Sequence, residues 1–186
     1  MFSRIALLAF ALLLTACQTQ QANLDFDASR DFGAYRSWAW KTPALQYRPD
    51  DPRIKSDLTE QRIRQSVSDQ LEQRGLRLAQ PGAKTDVLVQ AYYIVDTRQQ
   101  QISTPYGGPW GGPWGGPWGA GFYNETRTVD YRVATLQVDL LDARDGKLVW
   151  RGSRDSVLSD APQGPAERSA SIAKSVGLIM SNYPPR

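Results

Sequence analysis

The chain has 186 residues, of which 41% are hydrophobic and 22% charged. That is ordinary make-up for one globular domain, long enough to bury a core without disulfides or metals. Lysine and arginine number 22 against 19 acids, and the arginines are dispersed, so there is no dense basic footprint for nucleic acid. Histidine is absent and cysteine occurs once, which removes serine–histidine and cysteine–histidine catalysis, the commonest metal ligand and any intrachain disulfide.

The first element in chain order is a leader, residues 1–16. Met1 to Arg4 is a short positive start, and Ile5 to Leu14 is an unbroken apolar run of ten. A membrane-spanning helix needs about 20 apolar residues, whereas ten fits the core of a cleaved signal peptide. Leu14-Thr15-Ala16-Cys17 follows and resembles the bacterial lipobox. The resemblance implies cleavage before Cys17, a diacylglyceryl thioether on its sulfur and acylation of the new amine. Two acyl chains suffice for stable anchoring. Gln18, rather than Asp, after the cysteine implies the periplasmic side of the outer membrane; an inner-membrane location is the alternative. The plainer reading is a secretory signal with a chance cysteine. Residues 17–22 then form the lipidated end and a short tether, and residues 23–186 a single periplasmic domain.

Asn23 to Asp27 alternates in polarity and predicts a strand. Tyr35 to Trp40 predicts a second, with Trp38 and Trp40 on one face. Thr42 to Pro52 contains three prolines and reads as a loop. A helix is expected from Asp57, with Glu60 as its capping-box partner and Ile63, Val67 and Leu71 as its apolar stripe. Gly75 is a natural stop, and Leu76 and Leu78 suggest a short extended piece. Asp86 to Thr97 and Thr128 to Asp142 read as strands. Asp145-Gly146 reads as a hairpin turn, and Lys147 to Leu158 as the returning strand, with Leu148 and Trp150 on one face. Ile172, Ala173, Val176, Ile179, Met180 and Tyr183 mark a final amphipathic helix, ended by Pro184 and Pro185. The expected fold is α+β: an antiparallel sheet of about four to five strands with two helices packed on one face.

Three blocks of this pattern resemble a group of bacterial lipoproteins, the family called domain of unknown function 4136. They are Tyr35-Arg36-Ser37-Trp38-Ala39-Trp40, Asp86 through Tyr92, and Leu136 through Asp142 with Gly146 through Gly152. The resemblance implies a periplasmic lipoprotein domain and carries over no catalytic residue. The same positions also read as core strands and a hairpin.

Between the two central strands, residues 102–126 read as a long Gly/Pro/Trp-rich loop of low complexity. Gly-Gly-Pro-Trp occurs three times in succession, ending at Trp110, Trp114 and Trp118, with Tyr106, Phe122 and Tyr123 flanking. Exposed tryptophan costs about 25 cal/mol per Å² of apolar area. The repeat therefore predicts a contact with an envelope protein, a lipid surface, a cell-wall glycan such as peptidoglycan, or the protein's own sheet. The plainer alternative is a slippage-expanded repeat without a role.

No catalytic constellation, metal site or cofactor motif is read from the residues. Asp142 to Gly146 lacks the alternating ligand spacing of a calcium loop. Asp25 with Asp27, and Asp139 with Asp142, are the carboxylate pairs open to hydrolytic chemistry, against a plainer reading as solvent-facing strand and turn residues. Two functions follow: a non-enzymatic, lipid-anchored envelope binding or structural module, and a carboxylate-dependent hydrolase or glycan-binding protein of the cell wall.

Overall fold

The structure is a computed structural model and describes residues 22–106, 123–159 and 161–185. Strand β1 (Asn23–Phe26) leads through a short 3-10 turn (Phe32–Ala34) to β2 (Ser37–Arg48). Helix α1 (Asp57–Gln73) and strand β3 (Arg77–Leu78) come next, then β4 (Val87–Tyr106), β5 (Tyr123–Asp142), β6 (Leu148–Val157) and helix α2 (Pro165–Met180). The α+β class holds, but the sheet has six strands in the order β1-β6-β5-β4-β2-β3 and is mixed. Strand β2 runs parallel to both β3 and β4. The reason is α1: a helix between β2 and β4 carries the chain back to its starting end, which is what a parallel pair requires.

Both helices meet the same face of the sheet. Ile63, Val67 and Leu71 of α1, fully buried at four-residue spacing, pack with Val176, Ile179 and Met180 of α2. Beneath them lie Trp38, Val87, Val89, Ala91, Val138, Leu140 and Trp150. In α2 the buried stripe takes Ser175 rather than Ala173, which is exposed. Helix α1 is capped one residue before the expected start: the Ser56 hydroxyl accepts from the Thr59 N–H at 3.3 Å, and the Ser56 carbonyl accepts from Tyr47 Oη at 2.9 Å.

Three segments depart from the expectation. Strand β2 continues through Pro43 to Arg48, because a bulge between Trp40 and Leu45 takes the proline out of the ladder. A bulge in β6 pairs Leu140 with Trp150 but Leu141 with Leu148. Val149 is the extra residue, so Leu148 and Trp150 face opposite sides, the first exposed and the second buried. Strands β4 and β5 pair without interruption from Val87 with Asp142 to Tyr106 with Tyr123. Residues 102–106 and 123–126 are thus strand, not loop. Their polarity suggested a loop, but Ile102, Thr104, Thr126 and Thr128 are β-branched and suit a ladder, and the first glycine comes only at Gly107.

Close packing over β6 depends on Gly152. A Cβ there would lie 2.5 Å from Cη2 of Trp150 and 2.7 Å from Cγ2 of Ile179, both fully buried. Gly152→Ala is therefore expected to destabilise the fold by about 1–3 kcal/mol through overpacking. A urea melt of wild type and variant checks this; equal midpoints would mean that the helix moves aside freely.

Candidate functional site

The β4–β5 ladder outruns its neighbours. Strand β2 accompanies β4 only as far as Ile94, opposite Arg48, and β6 accompanies β5 only as far as Val133, opposite Val157. Beyond these points a two-stranded arm continues from Thr97 paired with Arg132 to Tyr106 paired with Tyr123. Ten residues per strand at about 3.3 Å each make it roughly 33 Å long. Side chains 96–104 and 124–130 are all exposed. A Ser103–Thr126 hydroxyl pair at 3.1 Å links its two strands. At its base, Arg98 Nη2 donates to Asp155 Oδ2 at 2.7 Å, and Thr135 donates to the other oxygen of that carboxylate at 2.6 Å.

The arm sets Tyr106 and Tyr123 opposite one another as its last backbone pair, so the two ends of the repeat segment are held together at the tip. Trp110, Trp114, Trp118 and Phe122 lie outside the described residues, as does Cys17.

The acidic residues sort differently from the expectation. Asp139 and Asp142 are not solvent-facing: they are 3% and 0% exposed. Nor do they share a site. At three residues apart on β5 they point to opposite faces. Asp139 lies on the face without helices, where Arg151 grips it through two bonds of 2.8 and 2.6 Å and Gln137 donates at 3.0 Å. Beside it, Gln90 is buried between the Tyr92 hydroxyl, which donates to it at 2.9 Å, and the Pro43 carbonyl, to which it donates at 3.0 Å. Asp25 and Asp27 also part: Asp25 stands across from Arg151 in the ladder, while Asp27 accepts from Ser29 and Arg30 in the following turn.

Asp142 ends β5 and collects three elements. It accepts from Tyr35 Oη at 3.0 Å, from Arg30 Nη1 at 3.1 Å, and from Arg144 through its backbone N–H, Nε and Nη2. Arg30 also donates to Asp145 at 2.7 Å and to Asp27 at 3.2 Å. The Arg144 hydrogen bonds, joined by that from Tyr35, hold the Asp142 carboxyl well below the usual carboxylate range against the opposing effect of burial. Burial first, and then its bond to Asp142, push the Tyr35 phenol up. Arg30, Tyr35 and Arg144 carried no signal as site residues in the sequence; the one local hint was the Asp-Ala-Arg-Asp-Gly turn. Among the described residues no group of three or more His, Cys, Asp or Glu is placed to hold a metal ion, and no helix is long and apolar enough to cross a membrane.

A family model described as Domain of unknown function (DUF4136) matches residues 22–185. No curated protein matches the chain. Among solved structures, a PDZ domain protein from Parabacteroides distasonis is similar with a TM-score of 0.51 at 16% identity, over 96% of this chain. The chain spans 40% of the length of that protein. A DUF4136 family protein from Bacteroides thetaiotaomicron is similar at 16% identity and a TM-score of 0.49, over 88% of this chain and 95% of its own. A neuraminyllactose-binding hemagglutinin homolog from Helicobacter pylori is similar at 12% identity and a TM-score of 0.45, over 82% of this chain and 84% of its own.

An amide at Asp142 leaves one acceptor oxygen where Arg30, Tyr35 and Arg144 share two, removes the charge that pairs the half-buried Arg30, and turns an N–H2 toward these donors. Asp142→Asn is expected to cost about 3 kcal/mol near neutral pH. Because the folded state holds this carboxyl below its ordinary value of 3.8, this contribution is complete above about pH 4 and is lost as pH falls below it. The gap between the urea midpoints of wild type and Asp142→Asn should therefore narrow on going from pH 7 to pH 2–3. A constant gap would show that the carboxylate's charge does not matter.

Proposed function

The chain belongs to the DUF4136 family, and from that premise we propose that it is a lipid-anchored, non-enzymatic envelope module that presents the Gly-Gly-Pro-Trp repeat to a partner at the end of a projecting arm. The observation that carries this reading is the arm. Its side chains at residues 97–104 and 124–130 are all exposed, and it sets the two ends of the repeat segment, Tyr106 and Tyr123, about 33 Å from the body. An exposed two-stranded ribbon is marginally stable in water, so it is a costly spacer unless its tip meets something. Tryptophans at Trp110, Trp114 and Trp118 suit a protein hot spot, a lipid headgroup layer or a glycan. The lipobox-like Leu14-Thr15-Ala16-Cys17 supports attachment at Cys17, and Gln18 supports the periplasmic side of the outer membrane. Hydrolysis by paired carboxylates receives no such support, since Asp139 and Asp142 face apart and each is held by arginine.

Two outcomes are expected. Mass spectrometry of the envelope-extracted protein finds a chain beginning at Cys17 with a thioether-linked diacylglycerol, and Cys17→Ser moves the protein to the soluble fraction; an unmodified thiol overturns the anchor. Residues 107–122 can be replaced by Asn-Gly, the turn that closes a two-residue hairpin. The shortened chain should keep the wild-type urea midpoint while losing binding to peptidoglycan sacculi, lipid vesicles or solubilised envelope proteins, whichever the wild type retains. Equal retention by both chains overturns the role of the repeat.

A further inference from the structure

The arm has two outer edges, and their chemistry differs. Along β5, residues 124–132 carry Glu125, Arg127, Asp130 and Arg132, spaced charges of the kind that keep foreign strands away. Along β4, residues 97–104 carry a single charge, Arg98, followed by three glutamines, Ile102, Ser103 and Thr104, all exposed. No described strand pairs with this second edge beyond Ile94. Its outward backbone groups form a template for another strand.

We propose that the β4 edge of the arm pairs antiparallel with the same edge of a second copy of this chain, so that two arms merge into one four-stranded ribbon. The occupant follows from charge. An identical edge brings the same nearly neutral row, with glutamine amides that donate and accept in kind, whereas the β5 edge would bring a charge at almost every second residue. Symmetry then limits the register. A two-fold axis across a shared edge stands perpendicular to the ribbon, so opposed residues lie on one face and are an even number of positions apart. β2 occupies the edge up to Ile94, and Pro105 offers no N–H. Centring the pairing on Gln100 uses the window between these limits. It sets Gln99 opposite Gln101, Arg98 opposite Ile102 and Thr97 opposite Ser103. The two Arg98 side chains are then about 13 Å apart along the strands, so like charges do not meet.

Cross-linking of the full-length chain, extracted in detergent, tests this. Directly opposed residues of an antiparallel pair have Cα atoms about 4.5–5.5 Å apart, within disulfide range. Gln100→Cys should give a covalent homodimer under mild oxidation. Thr128→Cys, on the partner strand of the same arm, and wild type, with Cys17 alone, should not. Gln100→Glu sets like charges face to face and should weaken the sedimenting dimer at least tenfold, while Thr128→Glu leaves it unchanged. A monomer at every concentration, equal cross-linking at Gln100 and Thr128, or a Gln100→Cys adduct with a different protein would each overturn the proposal.

Discussion

Backbone hydrogen bonding between β4 and β5 sets the frame on which everything else in the molecule is placed. Twenty residues of each strand pair without a break, whereas β2 and β6 flank them along only part of that length. Where all four strands are present, one face is covered by α1 and α2 and the interior is sealed around Trp38, Trp150 and the helix stripes. Where the flanking strands stop, no helix follows and the same ladder stands in water. One continuous element is therefore the centre of the core at one end and an unsupported projection at the other. The change occurs within a few residues, near Ile94 and Val133.

At the buried end, the weight falls on Asp142. Its carboxylate binds the turn after β1 through Arg30, the start of β2 through Tyr35 and its own hairpin through Arg144. Asp86 makes a similar joint nearby, accepting from the Arg36 and Ser37 N–H groups and the Ser37 hydroxyl, which fixes the entry of β2 beside that of β4. The matched Tyr35-to-Trp40, Asp86-to-Tyr92 and Leu136-to-Gly152 blocks thus meet in space. Asp86 and Asp142 of these blocks take part in assembling the sheet end. The proposed function draws on the opposite, outward end.

The parts of this arrangement that sequence reveals are those with a local period. Ile63, Val67 and Leu71 announce α1, and Val176, Ile179 and Met180 announce α2, because each stripe repeats within one helix. The alternation of Val87, Val89 and Ala91 announces a strand for the same reason. The parallel neighbour of β4 is invisible in this way, since pairing partners separated by a helix leave no periodic trace. Pro43 concealed the second half of β2, because a proline that sits in a bulge reads like one that ends a strand. The arm was hidden by its polarity: Gln99 to Thr104 looks like a loop when hydrophobicity is the guide. The partners of Asp142 were out of reach for another reason, as Arg30 and Tyr35 lie 112 and 107 positions away.

The direction of β1 has a bearing on posture. Asn23 stands level with Ser153, Gln137 and Tyr92, and Phe26 level with Trp150, so the chain enters β1 travelling away from the arm. From the level of Asn23 to Tyr106 is 14 residues along β4, about 46 Å, whereas the six steps from Cys17 to Asn23 reach at most about 22 Å. With lipid on Cys17, an arm aimed straight at the bilayer would have to pierce it. An anchor there would leave the ribbon lying along the membrane surface, or turned outward by a tether folded back on itself.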